Sequence, residues 1–596
     1  MSNQQRQIRV VIDLGGTFTD FVLARRGAFH TNKVLTTHEA PERAVMRGLS
    51  RLMSISDTSP EDIGLIVHGT TLATNAIIER KGARVAMLTT QGHRDVLELA
   101  DESRFDQYDL RLVKPQPLIP RDLRFGIPER LAADGSVLVP LDLATIKTIA
   151  EVLIDKQIES VAICFLHSFI NPEHERSVAR VLRRQIPGIH LSLSSQVSPV
   201  IREYERFSTT VANAYVQPKI DRYLEHLEGQ LGEAGFTCPL YLFLSNGSLA
   251  EVAIAREFPI RLVESGPAGG AVFSSHIAQT NKEDRILSFD MGGTTAKICL
   301  IDDAEPQKSD TFEMAREHRF RRGSGLPVRV PVIDMVEIGA GGGSIARVDQ
   351  LARIAVGPDS AGSEPGPACF DLGGSDATVT DANLLLGRLE PEGFANGEIL
   401  LNAALAESAI RNNLAEPLGM QVPQAAAGVA AIIEEDMANA AREHATESGK
   451  SLIGRTLVAF GGAAPAHAIS VADKLGVGRV IIPSDAGVGS AIGFLMAPVA
   501  YELSRSCSVR LSQFSPEVLN ELYRTMSDEA HRVVASAAPL QERNETRLAR
   551  MRYVGQGYDI AVPMPVRKLR HGSPRRTILH SARWEQRIGF SSGQKR

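Results

Sequence analysis

A short apolar run that ends in an aspartate and is followed by a glycine pair occurs twice along this chain. The first copy is Ile12-Asp13-Leu14-Gly15-Gly16-Thr17, and the second is Phe289-Asp290-Met291-Gly292-Gly293-Thr294. Each copy is followed by another apolar run, at 19–23 and at 297–301. This pattern predicts two β-hairpins, each with an aspartate at the end of its first strand and Gly-Gly-Thr in its turn.

The residue types in these turns suit a phosphorylated ligand. Glycines let backbone N–H groups surround an anion, a threonine hydroxyl adds a donor, and an aspartate can hold a divalent cation. One Asp-x-Gly-Gly turn is a weak signal, because many hairpins contain it. Two copies in different parts of the chain favour two related half-molecules that face one ligand.

After the first hairpin, the apolar pattern predicts a third strand and then helix and strand in alternation. The predicted elements are a strand at 31–36, a helix at 41–54, a strand at 63–68, a helix at 71–80 and a strand at 84–90. This is the order of the ribonuclease-H-like fold, so we expect an α/β protein with a mixed sheet covered by helices.

The second half repeats this opening. Its predicted elements are strands at 285–290, 296–302 and 307–313, helices at 378–387, 401–413 and 424–447, a strand at 456–460, a helix at 467–475 and a strand at 479–483. A glycine-rich region at 339–374 interrupts the order. Between the halves, the sequence predicts strands at 160–165 and 190–194 and a helix at 172–184, and a polar helix at 516–535 follows the last glycine motif.

The chain is too long for one hydrophobic core, and we expect three regions. They are 1–200 with the first hairpin, 201–508 with the second, and 509–596, which changes character after about residue 565. Residues 567–596 are rich in lysine and arginine, with one acid, Glu585, and the only tryptophan, Trp584. A poorly packed or truncated end is favoured there over a nucleic-acid-binding tail.

Composition narrows the function classes. Hydrophobic residues make up 43% of the chain and charged residues 23%, and the net charge of −5 argues against nucleic acid or an acidic membrane as the main partner. No run approaches the roughly 20 apolar residues of a membrane span, and no signal-peptide segment precedes the first strand. The five cysteines are scattered, which is typical of reduced thiols in a cytoplasmic protein rather than of a zinc site or a disulfide framework.

Three glycine-rich clusters each have a functional and a structural interpretation. The run Phe460-Gly461-Gly462-Ala463-Ala464-Pro465-Ala466-His467 suits a pocket for a flat ring such as adenine, or it is a tight strand-to-helix turn. The run Gly341-Gly342-Gly343 implies backbone packed against a ligand or another strand. The loop at 356–369, rich in proline and glycine, faces a substrate or lies on the surface.

The sequence His68-Gly69-Thr70-Thr71 ends one predicted strand and starts a helix. It is either a capped helix or a ligand-binding group at the carboxyl edge of the sheet, where α/β folds bind ligands. The chain has no Gly-x-x-x-x-Gly-Lys-Ser/Thr loop and no His-Glu-x-x-His helix. Nothing therefore indicates a P-loop enzyme or a zinc hydrolase.

Together these motifs resemble those of the ATP-binding A-type subunit of the hydantoinase/5-oxoprolinase family, from about residue 8 to about residue 560. The matching stretches are 13–20, 68–71, 204–207, 265–268, 290–295, 339–344, 357–369, 380–382 and 460–467. The resemblance implies two ribonuclease-H-like halves of the actin, sugar-kinase and heat-shock-chaperone superfamily that clamp ATP and Mg²⁺. Ala464 stands where glycine is usual, and the chain departs from the family beyond about Pro565.

The resemblance also implies a role for each site residue. Phosphate loop 1 is Gly15, Gly16 and Thr17, phosphate loop 2 is Gly292, Gly293 and Thr294, and the adenosine motif contains Gly461 and Gly462. Asp13 and Asp290 are expected to hold Mg²⁺ and to act in catalysis. His68 and Asp381 are candidates on the substrate side.

The implied reaction is ATP-dependent ring opening of a cyclic amide such as a hydantoin or 5-oxoproline, in which this chain phosphorylates the carbonyl oxygen so that water can attack. Two alternatives stay open: the ATP-using subunit of an acetone- or acetophenone-type ketone carboxylase, and a non-catalytic nucleotide switch. A B-type subunit is the expected partner, because this chain lacks a recognisable constellation for the water attack.

Overall fold

The computed structural model describes residues 8–570 apart from 17, 38–39, 102–103, 317–322, 398, 514, 539–541 and 557–558. The predicted phosphate ligand Thr17 and the basic end with Trp584 lie outside the described residues. The chain divides into two compact units, of which the first ends at Pro498 and the second begins at Val499.

The strands follow one another in three groups. The first group is β1 (Arg9–Leu14), β2 (Phe18–Arg25), β3 (Ala28–Leu35), β4 (Leu65–Thr70), β5 (Val85–Thr90), β6 (Arg124–Ile127), β7 (Arg130–Leu131), β8 (Val137–Val139), β9 (Ser160–Cys164), β10 (His190–Leu193), β11 (Leu240–Phe243) and β12 (Leu249–Glu251). The second group is β13 (Arg285–Met291), β14 (Ala296–Asp302), β15 (Glu305–Pro306), β16 (Lys308–Ser309), β17 (Phe312–Met314), β18 (Leu326–Val328), β19 (Val332–Ile333), β20 (Met335–Ile338), β21 (Ser344–Val348), β22 (Ile354–Ser360), β23 (Thr456–Phe460) and β24 (Arg479–Ile481). The third is β25 (Arg547–Met551) and β26 (Ile560–Met564).

The α-helices range from a single turn to 31 residues. They are α1 (Pro41–Ser56), α2 (Leu72–Ile78), α3 (Val96–Leu99), α4 (Leu143–Asp155), α5 (Glu173–Gln185), α6 (Ser194–Val197), α7 (Glu203–Glu233), α8 (Val252–Glu257), α9 (Ser265–Asn281), α10 (Val379–Leu385), α11 (Ala403–Ile410), α12 (Glu416–Leu418), α13 (Val422–Glu447), α14 (Ala464–Leu475), α15 (Gly489–Met496) and α16 (Pro516–Ala537). Across the part of the chain that is described, none of these helices has the length and apolar character needed to span a membrane.

Two sheets of the first unit share one strand order. The first sheet runs β12-β11-β4-β1-β2-β3, and the second runs β15-β14-β13-β23-β24, with β20 also paired to β14. In each, a central strand is antiparallel to the next strand of the chain and parallel to a later one. Both predicted hairpins are confirmed, and the α/β class with mixed sheets agrees with the prediction.

The burial of the central strands explains their apolar sequences. Val10, Val11 and Ile12 of β1 are fully buried, and so is Ile286 of β13. A strand covered on both faces has a continuous apolar run rather than an alternating one. The two runs that precede the aspartates therefore place each aspartate at the point where a buried strand reaches the edge of its sheet.

Two of the predicted strands are wrong in their pairing. Residues 85–90 form β5, which joins a separate sheet in the order β10-β9-β5-β6 with all pairs parallel, so the first sheet takes β11 as its next strand. The third strand predicted at 307–313 is broken into short pieces, because β15 covers only two residues and β20 pairs with the rest of β14. The predicted division near residue 200 lies within the chain span of the first sheet and stays a prediction.

The longest helix, α7, is not evident in the sequence. Its residues 206–218 are buried without interruption, and a helix covered on all sides has no apolar stripe to reveal it. Pro218 lies inside it and by propensity would end a helix.

Helices α9 and α15 lie between the two mixed sheets and cross at glycines. A Cβ atom on Gly493 of α15 would overlap the carbonyl oxygen of Gly269 in α9. Helix α15 packs on β1, β2 and β4, while α9 packs on β13 and β14. Phe494 of α15 stacks on Phe243 of the first sheet with 4.1 Å between ring centroids. This close crossing holds the two sheets at a short separation.

The second unit has one α-helix, a short 3-10 helix at Leu511–Gln513 and one hairpin within its described residues. Ser515 caps α16 through its hydroxyl, which accepts from the N–H of Val518 at 3.4 Å. The Asn520 side chain exchanges two hydrogen bonds with the backbone of Leu569, at 3.1 and 2.8 Å. These bonds attach the end of the described chain to α16.

The helix crossing predicts a sharp difference between two glycine substitutions. Gly493→Ala should destabilise the protein by about 1–3 kcal/mol or more, because the new methyl group has no space. Gly229→Ala, on an exposed and open position of α7, should stabilise it by about 0.5–1 kcal/mol through helix propensity. Thermal unfolding of both variants measures this, and equal midpoints would contradict the crossing.

Candidate functional site

The two hairpin turns have the same hydrogen bond. The N–H of Gly15 donates to the carbonyl of Phe18 at 3.1 Å, and the N–H of Gly292 donates to the carbonyl of Thr295 at 3.0 Å. The second glycine of each turn, Gly16 or Gly293, is exposed. Each turn therefore presents backbone at the surface of the molecule beside an aspartate.

Asp13 and Asp290 occupy equivalent positions, and each lies in the electrostatic field of other acids. Burial raises the pKa of Asp13 from 3.8 to about 7, with further contributions from Asp20 and Asp290. Burial also raises the pKa of Asp290, while Lys297 opposes the shift. Each carboxylate keeps part of its surface accessible. The two turns thus bring two carboxylates into one electronegative site.

Each helix of the crossing pair begins beside one of these aspartates. Gly266 lies in the first turn of α9, and a Cβ atom on it would lie 3.6 Å from Oδ1 of Asp13. Ser490, in the first turn of α15, donates its hydroxyl to Oδ2 of Asp290 at 3.0 Å. Helix N-termini favour negative charge, so the α9–α15 pair supports the acids at both turns.

Charged residues that the motifs did not indicate complete the site. Across the sheets, one row of opposed residues is Asp13, Asp20 and Lys33, and the other is Asp290, Lys297 and Glu337. Lys33 and Asp20 form an ion pair. An alignment of the two hairpins would have found Asp20 and Lys297, since they stand at the same offset from their aspartates.

Glu264 is a further residue that sequence reasoning missed. It precedes α9 with a left-handed backbone, φ 61°, which is uncommon for a residue other than glycine. Burial and then Glu337 raise the pKa of its carboxyl to about 8, and Lys297 opposes the shift. Strained backbone of this kind clusters at functional sites, and only the fold brings Glu264 close to the hairpins.

The predicted adenosine motif lies directly beside Asp290. Gly461 has φ 90°, and a Cβ atom there would overlap Oδ1 of Asp290. Its N–H donates to the carbonyl of Ala486 at 2.8 Å, and the N–H of Ala463 donates to that of Met291 at 2.9 Å. Gly462 is exposed with open space around it. The structure therefore brings this motif together with phosphate loop 2.

The triple glycine packs against phosphate loop 2. The N–H groups of Gly342 and Gly343 donate to the carbonyls of Gly292 and Gly293, at 3.0 and 2.7 Å. Thr380 donates its hydroxyl to the carbonyl of Gly342 at 2.8 Å. Of the two interpretations of this run, packing against neighbouring backbone is correct, and the run fixes the shape of the loop.

His68 is buried in the first sheet rather than placed at the turns. Its Nδ1 lies 3.1 Å from the carbonyl of Ile12 and its Nε2 lies 2.8 Å from the hydroxyl of Tyr223. Burial lowers its pKa to about 4, so the ring is neutral and both nitrogens are occupied. The side chain thus bonds the strand to α7, and the substrate-side role of His68 stays a prediction.

Asp381 is also structural. Its carboxylate accepts hydrogen bonds from the N–H of Cys369 at 2.8 Å and from the N–H and hydroxyl of Thr378, at 3.0 and 2.7 Å. It caps α10 and attaches the Pro-Gly loop, and it is fully buried. Its carboxylate oxygens thus accept from the N–H groups of Cys369 and Thr378, and the substrate-side role of Asp381 stays a prediction.

Comparisons with known proteins agree with the motifs. Residues 9–186 match the profile described as the hydantoinase/oxoprolinase N-terminal region, and residues 206–503 match the profile described as hydantoinase/oxoprolinase. The chain belongs to the hydantoinase/oxoprolinase family. The identification made from the sequence motifs is confirmed.

Family relatives of this chain include subunits of two kinds of enzyme. The caprolactamase alpha subunit of Pseudomonas jessenii is 36% identical over 514 residues, which cover 85% of this chain and 73% of that protein. The acetophenone carboxylase gamma subunit of Aromatoleum aromaticum is 34% identical over 527 residues, covering 85% and 70%. The crystal structure of ATP-dependent caprolactamase from P. jessenii superposes with a TM-score of 0.83 at 33% identity, covering 99% of this chain and 85% of that one.

The raised pKa of Asp13 predicts a stability that depends on pH. The unfolded chain loses this proton near pH 4 and the folded protein keeps it up to about pH 7. Stability relative to Asp13→Asn should therefore fall as the pH rises through this window. Because the carboxylate is partly accessible, we expect a stability difference of about 1–2 kcal/mol at pH 8, in favour of the variant.

Asp381→Asn is the matched control for this measurement. It removes a buried acceptor of backbone N–H groups and should destabilise the protein by about 1–3 kcal/mol. Thermal unfolding of both variants between pH 4 and 8 separates the two roles. A loss of stability at pH 8 in Asp13→Asn would contradict the electrostatic account.

Proposed function

We propose that the two hairpin turns bind the phosphates of one ATP molecule and that this chain phosphorylates the carbonyl oxygen of a cyclic amide. The observation that carries the proposal is the meeting of Asp13 and Asp290, each at the end of the central strand of its sheet. The exposed backbone of Gly16 and Gly293 supplies N–H donors for phosphate oxygens. The open position at Gly462, beside Asp290, suits the nucleoside.

The shared strand order of the two sheets supports the same proposal. We infer that they are the cores of two ribonuclease-H-like halves of the actin, sugar-kinase and heat-shock-chaperone superfamily. In that arrangement the first strand of each half ends at the nucleotide. The positions of Asp13 and Asp290 agree with it.

The acidic character of the site fits Mg²⁺. Mg²⁺ is usually bound through one or two carboxylates together with substrate phosphates and water. The carboxylate of Asp13 accepts no hydrogen bond from the described residues, while that of Asp290 accepts only one, from Ser490. A divalent cation would neutralise charge on the phosphates and acids, and Asp13 and Asp290 are the residues that would hold it.

The reaction needs activation because resonance protects an amide. Attack of the carbonyl oxygen on the terminal phosphorus of ATP breaks the bond to the bridging oxygen, which leaves with ADP. Loss of the N–H proton gives a phosphorylated imidate, and water then adds to its carbon. The ring C–N bond breaks as the nitrogen takes a proton and leaves as an amine, and a second water hydrolyses the resulting acyl phosphate to a carboxylate and phosphate. The work of the protein is positioning and charge neutralisation, for which the turns, aspartates and helix ends are arranged.

A second candidate is the ATP-using subunit of a ketone carboxylase. The 34% identity to an acetophenone carboxylase subunit favours it. Both functions use the same nucleotide site and differ in the acceptor of the phosphoryl group. We propose the cyclic amide first, because the caprolactamase structure superposes at 33% identity with a TM-score of 0.83, compared with 25% identity and 0.79 for a nucleotide-free acetone carboxylase structure over the same 99% of this chain.

A B-type subunit is the proposed partner for the water attack. Two relatives are named as subunits, and the site described above contains phosphate-binding and acidic groups rather than a nucleophile with its base. Enclosure by a partner would keep the phosphorylated intermediate away from bulk water.

Phosphate release tests the proposed function. The wild-type chain, alone and with its co-purified partner, is assayed with ATP and Mg²⁺ plus lactams, hydantoins, or ketones with bicarbonate. We expect phosphate release to depend on a cyclic amide and ring opening to need the partner. Release that depends only on ketone and bicarbonate would support the carboxylase, and nucleotide binding without turnover would support a switch.

Asp290→Asn identifies the site in the same assay. The variant should fold and lose turnover by about a hundredfold or more, because the transferring group is poorly neutralised. Asp528→Asn is the control, since this aspartate is exposed on α16 and pairs with Arg524 of the same helix. Unchanged turnover in Asp290→Asn would contradict the proposed role of Asp290 in phosphoryl transfer.

A further inference from the structure

Lys297 holds a central position in one of the two rows of charged residues. Strand β14 lies between β13 and β20, and Lys297 is opposed by Asp290 on one side and by Glu337 on the other. Residues directly opposed in antiparallel strands project from the same face, about 4.5–5.5 Å apart at Cβ. The ammonium group therefore stands on the face of the sheet that carries the carboxylate of Asp290.

The ammonium group of Lys297 is surrounded by acids and closely bound by none of them. Its Nζ lies 3.6 Å from Oε1 of Glu337, which is longer than a charge-assisted hydrogen bond of about 2.7–2.9 Å. Burial alone would lower the pKa of Lys297, but Glu337, Asp290, Glu264 and Asp13 together keep it raised. The group therefore keeps its positive charge, and its three donors are available to a ligand.

The first sheet differs from the second in the state of its lysine. There the cation, Lys33, stands one strand further from the aspartate and is committed to Asp20 in an ion pair. The row around Asp13 therefore has an acid where the row around Asp290 has Lys297. The two hairpins have the same turn, but the residue opposite the aspartate is Asp20 in the first and Lys297 in the second.

We propose that Lys297 is a catalytic residue that contacts the terminal phosphoryl group of the bound nucleoside triphosphate and neutralises its charge during transfer. The inference rests on the proposed function, because it needs a nucleotide at the two turns. Lys297 lies on the same hairpin as phosphate loop 2, so its ammonium group can contact a phosphoryl group that this loop binds. Lys297 stays protonated throughout the transfer. The acceptor oxygen forms a bond to the terminal phosphorus, and the bond from that phosphorus to the bridging oxygen breaks. The electron pair of the broken bond leaves with ADP.

Glu337 is the residue that holds Lys297 before the nucleotide binds. Its side chain is about a third exposed, with 36% of its surface accessible, so it can yield the ammonium to a more negative ligand at small cost. Three carboxylates remain around the lysine in that state. These acids would repel a polyphosphate that carries no cation. The ammonium group of Lys297 is the positive group among them that can neutralise phosphate charge.

The test compares nucleotides that differ by the terminal phosphate. Calorimetry with Mg²⁺ measures the affinity of wild type, Lys297→Met and Lys297→Arg for ADP and for a non-hydrolysable ATP analogue. Lys297→Met should bind the analogue about tenfold or more weakly and bind ADP nearly as the wild type does. Its turnover should fall about a hundredfold or more, and Lys297→Arg should recover part of both.

Lys450→Met is the matched control. Lys450 pairs with Asp302 of β14 at 2.6 Å, and 28% of its side chain is exposed, compared with 22% for Lys297. This variant should bind both nucleotides normally. Glu337→Gln is a second variant that keeps the lysine, and it should bind the analogue at least as tightly as the wild type.

The outcomes separate this inference from the proposed function. An equal loss of affinity for ADP and the analogue in Lys297→Met, or no loss for either, would overturn the role of Lys297 while wild-type binding and turnover persist. If the wild type binds neither nucleotide, the proposed function itself fails, and the inference fails with it.

Discussion

The close approach of α9 and α15 is the constraint on which the site depends. Gly493 and Gly269 let the two helices touch backbone to backbone, where any side chain would separate them. Because α15 packs on the first mixed sheet and α9 on the second, the crossing fixes the distance between the sheets. We expect a methyl group at this crossing to move Asp13 away from Asp290, although the crossing lies outside both hairpin turns.

The result of this approach is an excess of negative charge that the empty protein tolerates at a cost. The pKa values of Asp13, Asp290 and Glu264 are all raised, with burial as the main cause and neighbouring carboxylates as a further one for each. Lys297 reduces this strain without removing it. The cation and phosphates that we propose for this site would stabilise it, which agrees with the usual conflict between stability and function at active sites.

Local sequence patterns were sufficient to predict the features whose residues all lie in one turn. Both hairpins, their aspartates and the packing of the triple glycine follow from glycine geometry and strand periodicity, and the structure agrees with each. They did not indicate the hydrogen-bond partners of His68 and Asp381, whose polar atoms bond Ile12, Tyr223 and Cys369 in the structure. The hydrogen-bond partners of a buried polar side chain depend on tertiary neighbours, which a single sequence motif does not contain.

Long-range contacts also explain what was missed. Glu264 reaches the site only because α9 starts there, and Glu337 reaches it through the pairing of β20 with β14. Helix α7 was not predicted because its residues 206–218 are buried on every side and include polar residues, so they form no apolar stripe. Lys297 could have been predicted from the sequence, because a residue-by-residue comparison of the two hairpins places it opposite Asp290.

The central claim is that the two turns form one nucleotide site, and a double-mutant cycle on Asp13 and Asp290 tests it most directly. Calorimetry would measure the affinity of the wild type, Asp13→Asn, Asp290→Asn and the double variant for a non-hydrolysable ATP analogue with Mg²⁺. If both carboxylates act on the same bound Mg²⁺–nucleotide, the two losses should be non-additive by about 0.5–3 kcal/mol. Losses that add within about 0.3–0.5 kcal/mol would mean that the aspartates act independently, and the account of a single shared site would be wrong.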